Sequence, residues 1–131
     1  MRTKSEPAFR GSITLGLRKG YTEHQIDRKD VYKALSAYQK ELWKTKEFKL
    51  SVRVSDCDIV FNDQLEPHLR IDIINYPLFP ASMESLRQNT LDLAEYLLVR
   101  MEQNRVVVEF DTDTVMLDLN DEYDPRVKSL D

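Results

Sequence analysis

The three glycines of this 131-residue chain, Gly11, Gly16 and Gly20, all lie between positions 11 and 20. The segment Gly16-Leu17-Arg18-Lys19-Gly20-Tyr21 falls between a strand-like run and a helix-like run. Glycine leaves backbone amides open to approach, and amides beside cations suit an anion such as a phosphate. Arg18, Lys19, Gly20, Tyr21 and His24 are therefore the candidate ligand-binding set. The segment is neither GxGxxG nor a P-loop, because it lacks the closing Lys-Ser/Thr. Asp27, at the start of the helix, repels an anion. The competing reading is structural: Gly16 relieves crowding beneath a helix, and Gly20 makes a turn.

The two histidines, His24 beside Glu23 and His68 near Glu66, are the groups able to exchange protons near neutral pH. A zinc ion needs three or four converging ligands. His24, His68, Asp56, Cys57 and Asp58 show no spacing that groups them, so neither a metal nor a cofactor is expected. Cys57 is the single cysteine and is flanked by two aspartates. Carboxylates raise a thiol pKa rather than activate it, so Cys57 reads as a small core residue. Asp56, Asp58 and Asp72 could form a hydrolytic pair. In a chain with 23 Asp and Glu that carries little weight.

The elements that position these residues follow from periodicity. Ile13, Leu15 and Leu17 alternate with Thr14 and Gly16, a half-buried strand over 12–18. Asp27 is a good N-cap for a helix over 28–46, with Ile26 and Val31 as a hydrophobic staple. Val31, Leu35, Tyr38 and Leu42 share one face of it. Lys29, Lys33, Lys40 and Lys44 mark the opposite face, read as solvated rather than as a nucleic-acid stripe.

Residues 48–61 alternate in two phases. Phe48, Leu50, Val52 and Val54 precede Cys57, Ile59 and Phe61, so a bulge or break is expected near Ser55-Asp56. Asn62-Asp63-Gln64 is a turn, and 69–76 is a strand stopped by Pro77 and Pro80. The stiff run around those prolines can anchor a neighbour or simply cross to the next helix. That helix begins at the N-cap Ser82 and runs on from Met83 to Met101, with Asn104 in the left-handed closing position. A strand over 105–110 follows, with a further short strand over 114–117.

This order predicts an α+β fold: a ferredoxin-like β-α-β-β-α-β sandwich, an antiparallel sheet with two helices on one face. One domain spans 1–131, with an ordered core over about 8–118 and flexible tails over 1–7 and 119–131. The sheet's second face carries Thr14, Ser51, Arg53, Arg70 and Asp72, with Ile59, Phe61 or Ile74 among them. A face mixing apolar and charged residues suggests a homo-oligomer.

Net charge is −4. Residues 1–53 carry 13 basic and 6 acidic residues (+7), and the remainder 6 and 17 (−11), by count along the sequence. The halves either interleave in the fold or make copies complementary to each other. No signal-like or membrane-spanning apolar run is present, so no membrane partner is expected and the default location is the cytoplasm. No motif fixes a reaction. The leading expectation is a non-enzymatic homo-oligomeric binding or regulatory module for a small anion. The alternative is a small enzyme with a subunit-interface site using His24 or His68 as its acid–base group.

Overall fold

A computed structural model describes residues 1–119 of the chain. The elements run β1 (Gly11–Gly16), α1 (Arg28–Lys46), β2 (Ser51–Phe61), β3 (Gln64–Ile74), α2 (Met83–Arg100), β4 (Arg105–Phe110) and β5 (Thr114–Asp118). The five strands form one antiparallel sheet in the order β2-β3-β1-β4-β5. This is the expected ferredoxin-like α+β sandwich, with the short C-terminal strand added beside β4. The polar tail expected over 119–131 lies, from residue 120 onward, outside the described residues. Among the described residues no helix is long and apolar enough to cross a membrane.

Local chemistry sets the helix ends. The Asp27 carboxylate accepts from the Lys29 amide at 2.9 Å. Glu47 then closes α1 in the left-handed region, at φ 52°. Ser82 accepts from the Ser85 amide at 3.1 Å and caps α2. The left-handed closing residue of α2 is Glu102, at φ 53°, rather than Asn104. The Gln103 amide donates to Leu98 O and the Glu102 amide to Val99 O, a Schellman closure. The left-handed closing residue therefore comes two residues sooner than side-chain preference indicated.

One face of the sheet is the core. Ile13, Leu15, Leu69, Ile71, Ile73, Val106 and Val108 lie beneath the helices with Val31, Leu35, Leu86, Leu93 and Leu97. The alternate residues point to the other, uncovered face.

The bulge expected in β2 is absent. Pairing with β3 runs unbroken from Ser51↔Ile74 to Phe61↔Gln64. Val52 and Val54 pack against the core, whereas Cys57 and Ile59 belong to the uncovered face. The change of phase records which layer each residue meets, not a slip in register. β3 begins at Gln64, five residues sooner than expected, and continues through Pro67. Pro67 lies just past the final β1 pairing, Gly16↔His68. The donor it lacks costs no β1–β3 ladder bond at that point. Asn62 and Asp63 take positive φ of 45° and 66°, giving a tight two-residue hairpin.

The charge imbalance between the halves of the chain is partly neutralised inside the fold. Arg10–Asp111, Lys19–Glu102, Arg28–Asp56 and Arg53–Asp72 each join a basic residue of the first half to an acid of the second.

Candidate functional site

On its uncovered face the central strand β1 presents only Ser12, Thr14 and Gly16, all small. Its neighbours stand higher: Glu66, His68, Arg70 and Asp72 on β3, and Arg105, Val107 and Glu109 on β4. The result is a groove along β1. Its upper part is a hollow of about 380 Å³ lined by Thr14, Gly16, Arg18, Tyr21, Ile59, Glu66, His68, Gln103, Arg105 and Glu109, among others. A second hollow of about 340 Å³ continues the groove and shares Thr14, Ile59 and Glu109 with the first.

His68 is the proton-exchanging group of this groove. Its Nδ1 lies 3.1 Å from Glu66 O. A carbonyl oxygen can only accept, so Nδ1 carries the proton and the neutral ring keeps its lone pair on Nε2. Burial, the largest influence, lowers the His68 pKa below its ordinary 6.5; Asp58 pulls the other way, and Arg18 adds a smaller lowering. The imidazole is thus held neutral near pH 7, as a base or hydrogen-bond acceptor.

Gly16 keeps that nitrogen accessible. A Cβ on Gly16 would lie 3.7 Å from His68 Nε2 and 2.6 Å from Gln103 Oε1. Gln103 cannot easily retreat. Its amide is buried and donates to Arg18 O at 2.7 Å and Met101 O at 3.1 Å. Gly16 therefore relieves crowding on the uncovered face, not beneath a helix. Gly20, at φ 53°, is the turn that was expected. Arg18 Nε is buried without a hydrogen-bond partner among the described residues.

The five residues singled out in the loop are not brought together. Arg18, Gly20 and Tyr21 line the groove with His68. Lys19 and His24 line a separate hollow with Asp30, Lys33, Arg100 and Glu102. The cause is the Arg18↔Gln25 bridge, which folds the loop on itself, with the Lys19 amide donating to His24 O. Lys19 is also engaged by Glu102 at 2.9 Å. Sequence reasoning left out Gln103, Arg105 and Glu109, and did not join Glu66 to the uncovered face. Extending the alternation of Asp72 and Arg70 back through Pro67 reaches His68 and Glu66, so that signal was present.

No protein-family model matches the chain, nor does any curated protein. Solved structures do. A phage SAM lyase in complex with S-methyl-5'-thioadenosine is similar, with 19% sequence identity and a TM-score of 0.65. The match covers 94% of this chain and 98% of that one. A phage SAM lyase in its apo state matches over the same shares, with 17% identity and a TM-score of 0.60. At this identity the likeness establishes the fold. It also overturns the leading expectation of a non-enzymatic binding module. Both of these structures are of a SAM lyase, an enzyme rather than a non-enzymatic binding module.

Proposed function

We propose that this chain is an enzyme that cleaves S-adenosylmethionine and releases S-methyl-5'-thioadenosine. The observation that carries the reading is the groove on the uncovered sheet face, which joins Glu66, His68 and Glu109 in one hollow on a fold shared with SAM lyase.

The substrate carries a sulfonium cation. Breaking the bond from sulfur to the amino-acid chain returns the electron pair to sulfur, which leaves as a neutral thioether. No acid is needed to assist departure. The remaining four-carbon fragment leaves by one of two balanced routes. Its own carboxylate closes on the carbon that sulfur left, giving a lactone with no proton transfer. Otherwise the neighbouring carbon loses a proton to a base, giving an alkene, and His68 Nε2 is the base in position.

The groove's other contributions follow from charge and surface. The Glu66 and Glu109 carboxylates favour a sulfonium over the neutral thioether, so attraction weakens once the bond has broken. Ile59, Val107 and the Tyr21 ring offer apolar surface for a purine. Holding the flexible chain in a folded, reactive conformer is worth several orders of magnitude in rate.

We also propose that a second copy of the chain covers this face, so that the site is completed at a subunit boundary. The supporting features are the exposure of Ile59 and Met116 on the uncovered face, and of Val60, Phe61 and Leu65 on the β2–β3 hairpin. Apolar residues gathered in this way mark contact surfaces more often than solvent-facing ones.

The test is incubation of the purified chain with S-adenosylmethionine and chromatographic measurement of S-methyl-5'-thioadenosine. We expect many turnovers per chain, above spontaneous breakdown without protein, and loss of turnover in Glu109→Gln. Identifying the four-carbon product separates the two routes. Thioether formation no faster than the protein-free control would overturn the reading.

A further inference from the structure

The lower half of the groove is built differently from the half around His68. β3 places Arg70 two residues and Asp72 four residues beyond His68 on the same face. Strand geometry makes those steps roughly 7 and 14 Å. Asp72 accepts from Ser12 Oγ at 2.7 Å and from Arg70 Nε at 3.0 Å. Arg53, on the opposing position of β2, brings its Nε to 3.6 Å from the other carboxylate oxygen. Arg70 Nε also donates to Ser12 Oγ at 2.9 Å.

One carboxylate therefore serves two guanidiniums, in a hollow that Glu109 and Asp111 also line. The contacts use the Nε edges. The terminal Nη groups of Arg53 and Arg70 have no partner among the described residues, and both side chains remain more than half exposed. Two guanidiniums fixed from behind by a shared acid, with their planar N–H forks unoccupied, have the chemistry of a carboxylate clamp. The hollow they line joins the first at Thr14, Ile59 and Glu109. Arg53 and Arg70 thus stand at the end of the groove away from Glu66.

We infer that Arg53 and Arg70 form the subsite for the carboxylate of the substrate's amino-acid arm; the inference rests on the lyase reading above. From sulfonium sulfur to carboxylate carbon is four bonds, an extended reach on the order of 5 Å from ordinary bond lengths. A sulfonium between Glu109 and His68 thus delivers its carboxylate to Arg70. Asp72 acts as a positioning residue that holds both arginines. The clamp can hold one carboxylate oxygen while leaving the other unengaged, so it serves either route of cleavage. It also separates substrate from product, because the thioether lacks the arm.

Calorimetric binding of two uncleavable ligands tests this. S-adenosylhomocysteine carries the arm and carboxylate; S-methyl-5'-thioadenosine does not. Arg70→Gln and, separately, Arg53→Gln are expected to weaken S-adenosylhomocysteine by about 10- to 100-fold, the range for losing a charge-assisted partner. Binding of S-methyl-5'-thioadenosine stays within about twofold of the parent, the scatter expected of a site left intact, which also reports a folded site. Arg53→Gln guards against misfolding, since Arg53 makes only the 3.6 Å contact. If both variants weaken the two ligands equally, or weaken neither, the clamp is wrong while the lyase reading stands. If the parent protein binds neither ligand, the lyase reading fails and the clamp falls with it.

Discussion

Replacing Gly16 by alanine tests the construction of the groove most directly. The added Cβ would sit 2.6 Å from Gln103 Oε1. Reaching an ordinary carbon–oxygen separation needs a retreat of roughly 0.5–1 Å. The Gln103 amide is tied to Arg18 O and Met101 O, so retreat breaks or stretches at least one buried hydrogen bond. Leaving a buried polar group unsatisfied costs about 1–3 kcal/mol. Against this, exchanging glycine for alanine in a strand recovers about 0.4–1 kcal/mol by restricting the unfolded chain. The net expectation is a loss of about 1–2 kcal/mol. At this chain length that lowers Tm by roughly 3–6 °C for each kcal/mol. Thermal unfolding by circular dichroism measures it. A double-mutant cycle with Gln103→Ala isolates the cause, since most of the Gly16→Ala cost should vanish once Gln103 is truncated. A Gly16→Ala protein as stable as the parent, or equally destabilised in both backgrounds, would refute the reasoning.

Three further outcomes are expected. His68 is neutral in the fold, with a pKa below 6.5. As pH falls from 6.5 toward its folded value, the unfolded chain binds a proton that the folded chain does not, so stability declines over that window. His68→Asn, which keeps a donor for Glu66 O, should remove this decline; urea midpoints across pH 5–7.5 that stay parallel for both proteins count against it. Asp72 behaves in the opposite chemical sense. Burial raises its pKa, but hydrogen bonds from Ser12 and Arg70, with the charges of Arg70 and Arg53, hold it below 3.8. Its contribution is present above pH 3.8 and lost as pH falls through the folded value. Asp72→Asn should cost about 1–3 kcal/mol at pH 7, and an unchanged urea midpoint there would remove Asp72 as the anchor of the two arginines. Finally, light scattering should give a mass above one chain, and a double Ile59→Asp, Met116→Asp variant should reduce it; a parent that is already monomeric at micromolar concentration ends the subunit-boundary proposal.

The helices and the element order were legible because local chemistry decides them. Asp27 and Ser82 cap where their side chains allow, and the periods of Val31–Leu42 and Leu86–Leu97 admit one reading. The start of β3 was hidden by Pro67, whose cost depends on where β1 stops pairing. The apparent break in β2 was a change of layer, visible only once the helices are placed. The site was the least legible part. Arg18, Gly20 and Tyr21 stood out for their glycine neighbours. Glu109 meets them through the pairing of β4 with β1, and Gln103 through the turn between α2 and β4, neither of which a local pattern encodes. Lys19, between two groove residues, and His24, three residues beyond Tyr21, are turned away by the Arg18↔Gln25 bridge.

Glu66, His68, Arg70 and Asp72 are alternate residues of one strand, paired with β2 throughout and, from His68 onward, with β1 as well. Their separations are therefore dictated by the pleat. Inserting or deleting one residue within β3 would turn Leu69 and Ile71 outward and bury the ionisable row. The distance between Glu66 and Arg70 along the strand can change only in two-residue increments of roughly 7 Å. An amino-acid arm one methylene longer alters the ligand by little more than 1 Å. Descendants of this protein could not track such a ligand by lengthening the strand; they would have to exchange side chains on a ruler whose gradations stay fixed.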